Sequence, residues 1–140
     1  MTEIVVNISL RVWHPGVAAS AVVGAFRLPV EVSHSVNEPR VSPNGRSIGG
    51  CYERTYVSMS MARRKPVELD EELWHCYEVI SGSAEFISAL LESGGSLEFY
   101  ISAFLTDPCG FSFDHEFMAA FAKTGLGVSV ELYPEPGSGY

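Results

Sequence analysis

Ile4-Val5-Val6-Asn7-Ile8-Ser9-Leu10-Arg11-Val12-Trp13 decides how this chain folds. Side chains along a strand point alternately to its two faces. The even positions, Ile4, Val6, Ile8, Leu10 and Val12, are all aliphatic and predict a core face. The odd positions, Val5, Asn7, Ser9, Arg11 and Trp13, predict a second face of polar and aromatic groups. His14-Pro15-Gly16 breaks the alternation, and a helical run begins behind it.

Val17, Ala21, Val22, Ala25 and Leu28 recur at helical spacing, so a helix is expected over 17–28, stopped by Pro29. Val30, Val32 and Val36 suggest a second strand. Asn37 to Gly50 holds glycines, prolines and an Asn44-Gly45 turn pair but little to bury. A long loop is expected there, and loops of that length in compact domains commonly serve function. A third strand over Tyr52–Met61 puts Thr55, Val57, Met59 and Met61 on one face. Tyr52, Arg54, Tyr56, Ser58 and Ser60 take the other, and Arg63-Arg64-Lys65-Pro66 is expected to end the strand.

Leu69, Leu73, Cys76, Ile80, Ala84, Ile87 and Leu91 then form a helical stripe, interrupted at Ser81-Gly82-Ser83. Glu68, Asp70, Glu71 and Glu72 suit its first turn, where the helix dipole favours acids, and Gly94-Gly95 suits its end. Leu97 to Thr106 reads as a fourth strand. Ser112 is expected to cap a helix carrying Phe113, Phe117, Ala120 and Phe121, with Gly125 ending it. Val128, Val130 and Leu132 predict the inward face of a fifth strand, and Pro134 to Tyr140 a flexible tail.

The element order is β-α-β-β-α-β-α-β. Strands apolar on one face only imply an α+β two-layer sandwich. The expected architecture is a mostly antiparallel five-stranded sheet with helices on one face, a ferredoxin-like variant in a single domain over 1–133.

Composition narrows the function classes. With 46% hydrophobic residues in 140, the chain can bury a core. A formal net charge of -8 opposes nucleic acid, whose binding needs clustered Lys and Arg, and permits a basic partner. The odd cysteines Cys51, Cys76 and Cys109 lack a CxxC pair, so no disulfide framework or zinc site is expected. No N-terminal signal pattern and no run near the roughly 20 apolar residues of a membrane span occur. Together these lead to the expectation of a cytoplasmic protein without cofactor, metal, nucleic acid or membrane.

Leu10-Arg11-Val12-Trp13-His14-Pro15, Glu38-Pro39-Arg40 and Gly125-Leu126-Gly127-Val128-Ser129-Val130 resemble a bacterial family known only as domain of unknown function 4279. The likeness covers nearly the whole chain in element order. It implies the fold and the one-domain organisation, and it brings no established activity.

The outward side chains of the better strands are Arg11 and Trp13, Tyr52, Arg54 and Tyr56, Tyr100 and Phe104, and Glu131 and Tyr133. Large aromatics with arginines are enriched where proteins bind partners. The expected binding residues are therefore Arg11, Trp13, Tyr52, Arg54, Tyr56, Tyr100, Phe104 and Tyr133. The leading expectation is a small binding protein that uses this face and the 37–50 loop on a protein partner or a small anionic ligand. One concrete form is an immunity-type or regulatory protein whose acidic surface meets a basic partner. One alternative is a small enzyme acting on an anionic substrate through His14, Glu38 and Arg40, helped by Arg11. Another is a homodimerisation module. For His14 the plainer alternative is a turn-stabilising hydrogen bond. His75-Cys76 and Asp114-His115-Glu116 are helix neighbours pointing about 100° apart, so they do not converge on a metal ion.

Overall fold

In the computed structural model, which describes residues 3–135, the opening stretch becomes β1 (Ile4–His14) and lies at the middle of the main sheet. Its even residues Ile4, Val6, Ile8, Leu10 and Val12 are all buried. The chain continues through α1 (Ala19–Phe26), β2 (Val30–His34), β3 (Pro39–Val41), β4 (Ser47–Cys51) and β5 (Thr55–Val67). It ends with α2 (Leu69–Ser81), α3 (Ala84–Glu92), β6 (Ser96–Leu105), α4 (His115–Thr124) and β7 (Leu126–Pro134). Five strands form one sheet in the order β2-β5-β1-β6-β7. Neighbours are antiparallel except β6 and β7, which run parallel. Strand β5 inserts between β1 and β2, so the first strand-helix-strand unit is split, as in a ferredoxin-like fold, with one further strand beyond β6.

The protein is thus an α+β two-layer sandwich, and its core is the face the alternation of β1 predicts. Val57, Met59, Phe99 and Ile101 join β1 against Val22 and Phe26 of α1, Leu69, Leu73, Cys76 and Ile80 of α2, Ile87 and Leu90 of α3, and Phe117 and Phe121 of α4. The expected interruption of the long helix is real: α2 stops at Ser81 and α3 starts at Ala84. Burial pushes the Cys76 thiol up to about 12, so it is a core residue rather than a nucleophile.

Several local expectations need correction. The third strand does not end at Arg63; β5 runs on to Val67. Its register against β1 slips between Val6 and Ile8 and again between Ile8 and Ser9. Each slip adds a residue to β5, so inward parity passes from Met59 to Ala62 and Met61 is only half-buried. Arg64 adopts φ 48 at this irregularity, and Asn7 Oδ1 accepts a 2.8 Å hydrogen bond from its backbone N–H.

The expected 37–50 loop contains a two-stranded hairpin, β3 paired with β4. Its turn is the Asn44-Gly45 pair, with Gly45 at φ 83, a value that favours glycine. All residues of β3 and β4 are exposed, so this hairpin does not lie over the sheet. The cap of α4 is Asp114, whose Oδ1 accepts from Phe117 N–H at 2.9 Å, and not Ser112. Ala84 is exposed rather than part of the buried stripe. Leu132, expected inward, is 55% exposed, because β7 is an edge strand whose far half the helices leave uncovered. Of the expected tail, Pro134 closes β7, Glu135 N–H bonds the Leu105 carbonyl at 2.8 Å, and 136–140 lie outside the described residues.

Candidate functional site

The sheet face opposite the helices is built around Arg11. Its guanidinium lies 4.9 Å from the Trp13 ring centroid, 4.5 Å from Tyr100 and 5.8 Å from Tyr56. Register explains the cluster. Trp13 pairs with Tyr56 across β1 and β5, and their rings stand 5.3 Å apart. Arg11 pairs with Glu98 across β1 and β6, and Nη1 meets Glu98 Oε1 at 3.4 Å. Ser129 Oγ–H donates to the other Glu98 oxygen at 2.6 Å. An arginine held over aromatic faces gains cation–π attraction while its stem covers apolar surface.

Beside this cluster opens a groove of about 450 Å3 lined by Arg11, Trp13, His34, Tyr52, Glu53, Arg54 and Tyr56. Tyr52 and Arg54 precede β5 rather than lying in it, yet they reach the groove that strand alternation assigns them. His34 stacks flat on Tyr52 at 3.5 Å, with Tyr56 at 5.8 Å. The buried Thr55 fixes the local chain path: its Oγ1 donates to the Val17 carbonyl at 2.5 Å and accepts from Val36 N–H at 3.0 Å.

Among the described residues, two buried side-chain polar atoms have no hydrogen-bond partner, Arg11 Nε and His34 Nδ1. Both residues line this groove. Such groups are rare because an unmade buried hydrogen bond costs about 1–3 kcal/mol. Desolvation by burial holds the His34 imidazole below its ordinary value of 6.5, against smaller upward pulls from Glu38 and the Arg54 backbone. A ring held below 6.5 is mostly neutral at about pH 7. The unfolded chain then takes up this proton before the folded one as pH falls. Stability is full above 6.5 and declines as pH drops through that value toward the lower folded pKa. Urea unfolding between about pH 7.5 and pH 5 should show this slope in the natural protein and a shallower one in His34→Phe. Equal slopes would show that His34 is not desolvated.

Tyr100 carries the face outward from Arg11. Hydroxyl groups of Tyr133 and Tyr100 bond Glu131 and hold its carboxyl below the usual carboxylate range. Phe104 and Tyr133 stack at 5.8 Å, with the Arg64 guanidinium 4.3 Å from the Phe104 ring and paired to Glu135 at 2.8 Å. Of the eight expected binding residues, the structure brings Arg11, Trp13, Tyr52, Arg54 and Tyr56 to the groove. Tyr100 stands beside it, and Phe104 and Tyr133 form a neighbouring cluster.

The expected catalytic set does not assemble. His14 is buried on the helix side of the sheet, continuing the even parity of β1. Its Nδ1 accepts from Gly16 N–H and Val17 N–H, both at 2.9 Å. Nε2–H therefore donates to Ser93 Oγ at 2.8 Å. Glu38 flanks the hairpin and Arg40 lies in it, both exposed, and no hydrogen bond joins either to His14 among the described residues. Glu38 acts instead on His34. His14 takes the turn-stabilising role.

Sequence reasoning missed His34. The valines around it suggest an inward stripe, but the register of β2 slips between Val30 and Val32. That slip pairs Val32 with Ser58 and His34 with Tyr56, on the outer face. The legible signal was the lone histidine in a β-like run across from an aromatic strand. No family model, curated protein or solved structure matches this chain.

Proposed function

We propose that this protein works by binding, and that the groove beside Arg11 is where it binds an anionic group. The observation that supports this reading most is that both unpartnered buried polar atoms belong to residues lining one groove. A fold leaves such atoms unmade at a cost, and an occupant that supplies their partners repays it. Charge gives the sign. Arg11 and Arg54 line the groove beside a single carboxylate, Glu53, in a chain of net charge -8, and Arg54 makes no ion pair among the described residues. An immunity-type role resting on a basic partner would use the acidic surface elsewhere, so we place the function in the groove. A cytoplasmic location and kinship with domain of unknown function 4279 belong to the same proposal. They add setting and fold, not activity.

Self-association is the less favoured use of this face. Trp13, Tyr52, Tyr56, Tyr100 and Phe104 are half-buried rather than bare, because they pack on one another and under Arg11 and Arg64. The apolar area that would drive dimerisation is already partly covered. The test is nuclear magnetic resonance of the 15N-labelled chain with a mixed set of anionic, neutral and cationic fragments. Anionic fragments should bind, with shifts gathered on Arg11, Trp13, His34, Tyr52, Arg54 and Tyr56. Sedimentation at the same concentration should give a monomer. Shifts scattered over the surface, or a dimer whose interface is this face, would overturn the proposal.

A further inference from the structure

The chemistry of the groove narrows its occupant, and the narrowing rests on the binding proposal above. A guanidinium offers two parallel donors along its Nε and Nη2 edge, a match for a carboxylate. On Arg11 the Nη1 end is held by Glu98, while Nε has no partner. His34 Nδ1 is likewise buried without a hydrogen-bond partner, and a neutral imidazole nitrogen either gives or takes one hydrogen bond. Trp13, Tyr52 and Tyr56 supply ring faces around these two groups. A volume of about 450 Å3 suits a small molecule.

We propose that the groove takes a small aromatic carboxylate, its carboxylate on the Nε edge of Arg11 and its ring among Trp13, Tyr52 and Tyr56. A hydroxyl group on that ring, able both to donate and to accept, gives His34 Nδ1 the partner it lacks. Arg54 adds charge at the rim. A phosphate fits less well. It carries more negative charge than a carboxylate, and it would face Glu53, which also lines the groove. An acidic peptide needs a track of cations, and here the cations at the groove are Arg11 and Arg54.

The test uses the full chain, 15N-labelled, titrated with benzoate, 4-hydroxybenzoate, benzyl alcohol, acetate and inorganic phosphate. Benzoate should give saturable shifts at Arg11 Nε–H and the Trp13 indole N–H, and 4-hydroxybenzoate should bind more tightly. Benzyl alcohol and acetate should each bind about tenfold more weakly than benzoate, since each lacks one half of the recognition. Arg11→Lys keeps the charge and loses the paired donors, so it should weaken benzoate about tenfold with an unchanged spectrum elsewhere. Should that variant not fold, Arg54→Ala, at an exposed position, should weaken benzoate several-fold. Acetate or phosphate binding as well as benzoate would show a plain ion site and overturn the inference, as would benzyl alcohol doing so. Groove shifts with other fragments but none with benzoate would overturn the ligand class and leave the binding proposal standing. Silence at the groove with every fragment would remove both.

Discussion

Leu10→Ala should lower the free energy of unfolding by about 2–5 kcal/mol, while Leu132→Ala should change it by less than about 0.5 kcal/mol. Both leucines sit at positions that strand alternation turns inward. Leu10 is fully buried between Met59 and Phe99 in the register of the central strand. Truncating it removes apolar contacts and leaves a cavity that close-packed neighbours fill only in part. Leu132 is 55% exposed on an edge strand and has little to lose. Urea titrations with an unchanged denaturant slope measure both. A cost near zero at Leu10 would place the core on the other face of β1 and dismiss the architecture.

Gly95→Ala should cost about 1–3 kcal/mol, the range of an overpacked core position, despite adding a single methyl group. A Cβ there would stand 2.8 Å from the Leu90 carbonyl oxygen, 2.9 Å from His14 Cδ2 and 3.0 Å from the Trp13 carbonyl oxygen. Two of the three are backbone atoms, and the third belongs to a ring held at both nitrogens by Gly16, Val17 and Ser93. The Leu90 carbonyl and the His14 ring cannot retreat without breaking a hydrogen bond. Gly82→Ala is the control: nothing lies within 4 Å of its Cβ position and its φ is -65. There the methyl group should be neutral, or stabilise by about 0.4–1 kcal/mol through the unfolded chain. Equal melting temperatures for the two variants would show that the turn yields, and that His14 is not locked. A shifted Trp13 indole signal in Gly95→Ala is expected as well, because Trp13 shares that contact.

What was legible in the sequence is what depends on a two-residue period. The alternation of β1, β6 and the stretch from Tyr52 to Met59 gave the core face, the open face and five of the groove residues. Register slips were not legible. They depend on which strand lies alongside, so Met61, the run through Arg63-Arg64-Lys65 and the outward turn of Val32 and His34 were out of reach. His14 shows a different limit. Its type suggests chemistry, but its function follows from three partners, two in its own turn and one 79 residues away. Leu132 failed because alternation tells which way a side chain points, not whether a helix lies above it.

Fragment mapping repeated on a Trp13→Ala, Tyr56→Ala double variant bears most directly on whether the Arg11 groove is a binding site. These side chains point away from the helix-covered core, so the variant should stay folded, with its spectrum dispersed and its core signals in place. It should also lose the groove shifts that anionic fragments cause in the natural protein, by about tenfold or more in affinity. Undiminished binding would put the site elsewhere. A variant that unfolds would make the aromatics a second core, and the open face would then hold the fold together rather than a ligand.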